Sequence, residues 1–306
     1  MKSGRIYAVF CLVCAIFGTT FLAIKVGVEA GAPPFLFAGI RFVVAGAVLG
    51  AVLLATGRVT ARGLLALAPR AALLSSLYIV GNFGATFWAE QYIGSGTAAQ
   101  IDAAGPIASA VLSGVFLGKR LKASHAIGIA TGFAGVWLVV RGSAAGPGGG
   151  GPESLIASIV MLAGAVAFAG AAVLYKRLFD DETDSFAVNA LNMLSGGAGL
   201  LVLSALFERR PFPPAAGAWA ALAYLVAVGS LVGHSANLWL VRKAGPLFTS
   251  SWSYVSPAIA TAVGAMALGE RVSLGAVAGT LLTLAGVALI ARAERPGALP
   301  SAARRP

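Results

Sequence analysis

Ten apolar runs, each close to the roughly 20 residues a helix needs to cross hydrocarbon, alternate along this chain with short segments that hold nearly all of its cations. The runs cover about residues 6–28, 35–55, 71–91, 95–117, 123–141, 154–175, 186–206, 217–240, 245–268 and 273–292. If both ends lie on one side of a bilayer, that side receives sixteen of the twenty-two Lys and Arg residues: Lys2, Arg5, Arg58, Arg62, Arg70, Lys119, Arg120, Lys122, Lys176, Arg177, Arg242, Lys243, Arg292, Arg295, Arg304 and Arg305. The other side keeps Arg141, Arg209, Arg210 and Arg271, while Lys25 and Arg41 fall inside runs. Basic loops stay in the cytoplasm. The pattern therefore predicts an all-α, multi-pass integral membrane fold of ten transmembrane helices with both termini cytoplasmic.

Composition narrows the classes further. With 58% hydrophobic and 11% charged residues, a soluble domain of 306 residues could not cover itself with polar surface. The 40 glycines suit helices that touch backbone to backbone in lipid. A net charge of +11 would fit nucleic acid, but the cations gather at the ends of runs instead of forming a groove. Anionic membrane lipid is the expected partner, and nucleic acid is not. The first run, from Ile6 to Val28, is longer than the core of a cleavable signal. Cys11 and Cys14 lie a turn apart in an apolar stretch with no second pair, which fits packing and neither redox chemistry nor a metal. The chain has two histidines, His125 and His234, and neither an H-E-x-x-H nor a P-loop motif. No catalytic residue, metal site or cofactor is expected, which leaves an intramembrane enzyme or a non-transporting scaffold as remote readings. No long soluble segment points to an obligate protein partner.

A shift of 151 residues lays one half of the chain on the other. Lys25 meets Lys176, Phe35 meets Phe186, Gly46 meets Gly197, Trp88 meets Trp239, Gly94 meets Gly245 and Pro106 meets Pro257. Leu117-Gly118-Lys119-Arg120 falls on Leu268-Gly269-Glu270-Arg271, and Arg141 falls on Arg292. A constant register through Trp, Pro and Lys marks a duplication. Residues 6–141 form one five-helix repeat and 154–292 the other, joined by a Gly/Pro-rich linker at 142–153 and followed by a disordered tail at 293–306. Five is odd, so the second repeat must enter the membrane from the opposite side. Two inverted repeats about an axis in the membrane plane are an architecture of alternating access.

Several local patterns recur in a fixed order: Phe17-Gly18-Thr19-Thr20-Phe21-Leu22-Ala23-Ile24-Lys25, Gly39-Ile40-Arg41-Phe42, and Ala89-Glu90-Gln91-Tyr92 through Ser95-Gly96-Thr97-Ala98-Ala99. Pro106, Pro257 and Leu268-Gly269-Glu270-Arg271 complete the set. The order resembles the drug/metabolite transporter superfamily, in particular its EamA-type ten-span permeases. The resemblance implies a central cavity lined by the first, third and fourth helices of each half, with the fifth peripheral. It also implies secondary transport of a small polar organic metabolite, an amino acid or a related compound, in the direction of export. Protons are the candidate coupling ion, and passive uniport is the alternative. Lys119 departs from the pattern, since an acid is expected there, and serves as an orientation charge.

Polar residues inside the apolar runs supply the site candidates. Asp102 lies two turns into the fourth run, roughly 12 Å beyond Gly94 by helical rise. A carboxylate facing lipid at that depth costs at least a few kcal/mol, so it faces a cavity or a basic partner. It is read as a coupling-proton site, a contact for a substrate cation, or one member of an ion pair. Arg41, roughly 9 Å into the second run, is its partner by depth; alternatively it grips a substrate carboxylate through two parallel bonds. Glu90 is expected at the external mouth, where it exchanges protons with water or is an ordinary interfacial carboxylate. Lys25 is expected to snorkel to the surface. Asn82, Asn192, His234 and Asn237 need hydrogen-bond partners in lipid, and Asn192 takes the place of Arg41 in the second repeat. Ser253, Trp252 and Tyr254 give the ninth run a hydroxyl and aromatic face, able to stack on a solute or to cement packing. Pro106 and Pro257 are candidate hinges, each removing one intrahelical bond.

Overall fold

The computed structural model describes residues 2–117, 123–144, 151–180, 182–213, 215–245, 248–249, 251–270 and 272–294. Among them the chain is helical, with no strand. The helices, in chain order, are α1 Lys2–Glu29, α2 Pro34–Ala55, α3 Ala61–Ala89, α4 Ser95–Asp102, α5 Gly105–Leu117 and α6 Ala123–Ala144. The second repeat supplies α7 Pro152–Leu178, α8 Ser185–Phe207, α9 Ala216–Ala244, α10 Trp252–Leu268 and α11 Leu274–Glu294. Seven segments are long and apolar enough to cross a bilayer, counting Ser95–Phe116 as one. Three shorter apolar stretches, His125–Arg141, Trp252–Leu268 and Leu274–Ile290, occupy the fifth, ninth and tenth places. Val44, Val48, Val52, Leu206, Phe207 and Trp219 are exposed, an apolar exterior that suits lipid and would aggregate in water.

The pairings obey the two-fold relation that the sequence offset predicts. Helix α1 packs on α10 as α7 packs on α4 and α5; α2 packs on α8; and α6 packs on α11. Glycines set the closest contacts, and they are reciprocal. A Cβ at Gly46 would lie 2.7 Å from the backbone nitrogen of Leu194, and one at Gly197 would lie 2.7 Å from that of Val43. Leu194 is itself the repeat mate of Val43. The α6–α11 seam repeats the trick: Gly128 abuts the Gly286 carbonyl, and its mate Gly279 abuts the Gly135 carbonyl. Without side chains at these points the helices interlock at backbone distance, and dispersion between them stands in for the hydrophobic effect that lipid does not provide.

Three local features differ from the predicted runs. Helix α3 begins at Ala61, because the Thr60 hydroxyl accepts a bond from Gly63 N at 3.1 Å and caps it, so Arg62 and Arg70 sit on a helix and not in a loop. Helices α3 and α9 each contain a π-helical stretch, Ser76–Phe83 and Leu225–His234, at equivalent points of the two repeats. The fourth run is broken between Asp102 and Gly105. Pro106 explains the break, since it has no N–H to offer the Asp102 carbonyl one turn back. Its mate Pro257 instead lies within the unbroken α10. The linker at 142–153 is helical to Ala144 and again from Pro152, with 145–150 outside the described residues. The tail at 293–306 is helical to Glu294, and the remainder lies outside the described residues.

The connecting segments fall at two ends of the bundle. One, here the basic end, carries Arg58, Lys176, Arg177, Arg242 and Lys243; the opposite end carries residues 30–33, 90–94, 208–213 and 269–270. At the opposite end Glu208 accepts bonds from Phe35 N and Leu36 N at 2.7 and 2.8 Å, capping α2 from the other repeat. At the basic end Asp184 caps its own helix α8 through Phe186 N and Ala187 N, and Arg58 reaches it at 2.6 Å. Partial burial works against the Asp184 charge, but the Arg58 bond and the two N–H groups outweigh it and hold the carboxyl below its ordinary range.

Candidate functional site

A cavity of about 520 Å³ lies between the two repeats. Its walls are built from pairs related by the 151-residue offset: Phe17 with Phe168, Ile24 with Tyr175, Phe83 with His234, Thr86 with Asn237, and Asp102 with Ser253. The first, third and fourth segments of each repeat therefore form the lining, and α2 adds Arg41. A second chamber of about 200 Å³ shares Tyr78, Phe168, Tyr175, His234 and Asn237 with the first and continues past Asn189 and Asn192 to Ser185. Exposed Lys176 also lines the larger cavity, so the path runs toward the basic end.

Buried Arg41 and half-buried Asp102 are held separately along this path. Asp102, at the last residue of α4, accepts a bond from Asn82 Nδ2 at 3.4 Å. Arg41, 1% exposed, donates from Nε to Ser230 Oγ at 2.9 Å. Its guanidinium carbon lies 4.8, 5.6 and 5.8 Å from the ring centroids of Phe42, Phe83 and Phe87, each contact contributing about 0.5–2 kcal/mol. Nη1 has no hydrogen-bond partner. The predicted ion pair with Asp102 is absent. Depth along a helix fixes one coordinate only: around the bundle Arg41 turns to α9, while Asp102 turns to α3. Each finds its neutral partner in a π-helical stretch, where the widened backbone turn brings Asn82 and Ser230 to the site.

Other candidates are placed differently from expectation. Glu90 does not stand at a wet mouth; it is 0% exposed, outside the cavity lining, and neither carboxyl oxygen has a partner. Lys25 does not snorkel. Its Nζ donates to the backbone carbonyls of Glu90 and Ile93 at 2.8 and 3.0 Å and lies 3.6 Å from Glu29 Oε1. Nearby, the Glu270 carboxylate accepts from Ser95 N and Gly96 N at 2.7 and 3.2 Å, joining the second repeat to the start of α4. Trp252 and Ser253 line the large cavity, whereas Tyr254 faces the packed cluster around Ala104 and Ile107. Asn192 Oδ1 and Asn237 Oδ1 are buried without partners, leaving acceptors for a solute.

Beyond Trp252, the aromatic walls are not marked by polarity within the apolar runs. Phe17 and Phe168 coincide at the repeat offset, as do Ile24 and Tyr175, so applying the offset to α1 would have found them. Lys176, read as an orientation charge, is also a wall residue.

Comparison with known proteins agrees with this geometry. The EamA-like transporter family matches residues 4–141 and 155–292. The uncharacterized inner membrane transporter YedA of Escherichia coli (strain K12) is 31% identical over 274 residues, covering 88% of this chain and 84% of that protein. A probable terminal-alkyne amino-acid exporter of Streptantibioticus cattleyicolor is 29% identical over 206 residues, covering 67% of each. A chain solved by crystallography has the same fold, with a TM-score of 0.62 at 23% identity over 96% of this chain and 99% of that one. Two matched repeats around one cavity identify a multi-pass membrane transporter, and the chain belongs to the EamA-like transporter family.

Proposed function

We propose that the protein is an alternating-access exporter of a small organic metabolite in the bacterial inner membrane, seen here open toward the cytoplasm. The basic end is the cytoplasmic one, since positively charged loops are retained inside, and the same rule assigns both termini to the cytoplasm. The observation that carries the reading is the cavity of about 520 Å³ between the repeats, in which Arg41 and the singly bonded Asp102 are the charged groups held inside, with exposed Lys176 on the wall toward the basic end and the other walls aromatic or neutral. A guanidinium offers a carboxylate two parallel bonds. Asp102 offers an ammonium one charge, and the rings accept an apolar body. An amino-acid-like solute satisfies all three, and the relative named as an amino-acid exporter supports that class. The access path toward the cytoplasm favours export, because the site loads where metabolites are made.

Asp102 is the candidate carrier of a coupling proton, since only a water-accessible acid can trade a proton for a substrate cation. The test is flux in proteoliposomes. Purified protein screened by thermal shift against amino acids and related metabolites supplies the ligand, and labelled ligand is then followed under imposed pH gradients. Saturable flux driven by the gradient is expected. Saturable flux indifferent to pH and voltage would leave uniport in place of proton exchange, and no flux with any stabilising ligand would end the transport reading.

A further inference from the structure

We infer that Lys25 and Lys176 are reciprocal clasps that close opposite ends of the pathway in turn, Lys25 holding the outer end shut in the state seen here. The inference rests on the alternating-access reading and adds to it the groups that hold each state. Lys25 Nζ bonds to the Glu90 and Ile93 carbonyls, tying α1 to the last turn of α3 and the loop beyond it. Helix C-termini carry spare acceptors and partial negative charge, so an ammonium group is well matched to them.

The offset carries this set of residues to the basic end as Lys176, Val241 and Ala244. There the clasp is undone. Lys176 is exposed and has no hydrogen-bond or ion-pair partner among the described residues, and it lines the cavity together with Val241. Its acceptors are in place, because α9 ends at Ala244. The Val241 carbonyl takes one bond from Gly245 N at 3.0 Å and keeps a second lone pair. One lysine bonded and its mate free is the arrangement expected of a two-fold device at one limit of its travel.

The two closures are unequal. At the outer end the Glu270 carboxylate adds a second fastening through Ser95 N and Gly96 N. At the mates of Glu270 and Ser95 the sequence has Lys119 and Pro246, positions outside the described residues. A lysine accepts no hydrogen bond and a proline donates none, so this fastening has no counterpart. The Glu270 latch thus adds to the outer clasp and not to the inner one, a difference that favours the cytoplasm-open state of the empty carrier.

Spin labels on Gln91→Cys and Val272→Cys report the outer end, and labels on Arg177→Cys and Lys243→Cys the inner end, both in a Cys11→Ser, Cys14→Ser background. Pulsed distance measurements then read the two populations without substrate. Lys25→Met is expected to raise the ratio of outer-open to outer-closed protein about tenfold, roughly what one lost charge-assisted bond gives; Glu270→Gln shifts it in the same direction. Lys176→Met is expected to shift it the opposite way, and Lys25→Arg to keep the wild-type distribution. Lys176 is exposed, so its variant tests the clasp even if Lys25→Met does not fold. Unchanged distances in Lys176→Met, or a shift of both methionine variants in one direction, overturns the clasp. Clasp-sensitive populations in a protein that moves no solute would instead overturn the transport reading and leave the clasp standing.

Discussion

The two repeats match in how they pack and differ in what they show to a solute. Gly46 and Gly197 make the same approach to each other's helices, and Phe17 and Phe168 line the same cavity. Yet the first repeat puts Arg41 and Asp102 where the second puts Asn192 and Ser253. Rocking requires that each half be able to assume the other's pose, so the packing contacts are bound by symmetry. Binding carries no such requirement. Charge chiefly on one side, with Lys176 of the second repeat nearer the basic end, gives a solute one preferred orientation in a scaffold that has two equivalent ones.

Charge should therefore break the equivalence and packing should keep it. The largest contrast is expected between Arg41→Gln and Asn192→Ala: loss of a bidentate partner should lower substrate affinity on the order of 100-fold, against about tenfold or less for the amide. Equal losses in thermal-shift titrations would dissolve the proposed asymmetry. Gly46→Ala and Gly197→Ala should each destabilise the fold by about 1–3 kcal/mol through overpacking, and by similar amounts. A large gap between their melting temperatures would mean that the reciprocal contact is not shared. Asp102→Asn should remove the pH dependence of flux while Ser253→Ala preserves it, a difference of roughly tenfold in gradient-driven accumulation.

The smallest effect belongs to the helix caps. Folded Asp184 holds its proton less readily than an unfolded aspartate near about 3.9, so its contribution is present above that value and is lost as pH falls through the lower folded one. Arg58→Gln should shrink the acid-side loss of stability by a few tenths of a kcal/mol, the scale of a partly exposed pair. An unchanged acid melting profile would show that the backbone N–H groups alone hold this cap.

Much of this was legible because hydropathy and charge are one-dimensional signals. The runs and the inverted repeats follow from residue order, the central cavity follows from the family resemblance, and helical rise offers a depth for Asp102 and Arg41. It offers no azimuth. Arg41 faces Ser230 because a π-helical stretch widens α9 there, and nothing in Leu225–His234 announces the extra residue per turn. The same limit hid the Lys25 contact: a lysine near the end of a run can reach lipid headgroups or a neighbouring helix end, and only the packing decides. Pro106 and Pro257 look alike in sequence. The first sits at a helix break and the second inside α10, a difference that their residue type alone does not announce.

The glycine seam between α6 and α11 has a mechanical corollary. No residue of either helix lines the cavity, yet their backbones touch at Gly128, Gly135, Gly279 and Gly286. Where two rods meet so closely, sliding is blocked and tilting is the motion left. In the proposed rocking the seam would serve as a fulcrum, and a few degrees of lean about it would grow, along the lever arm to α1 and α10, into the width of a doorway.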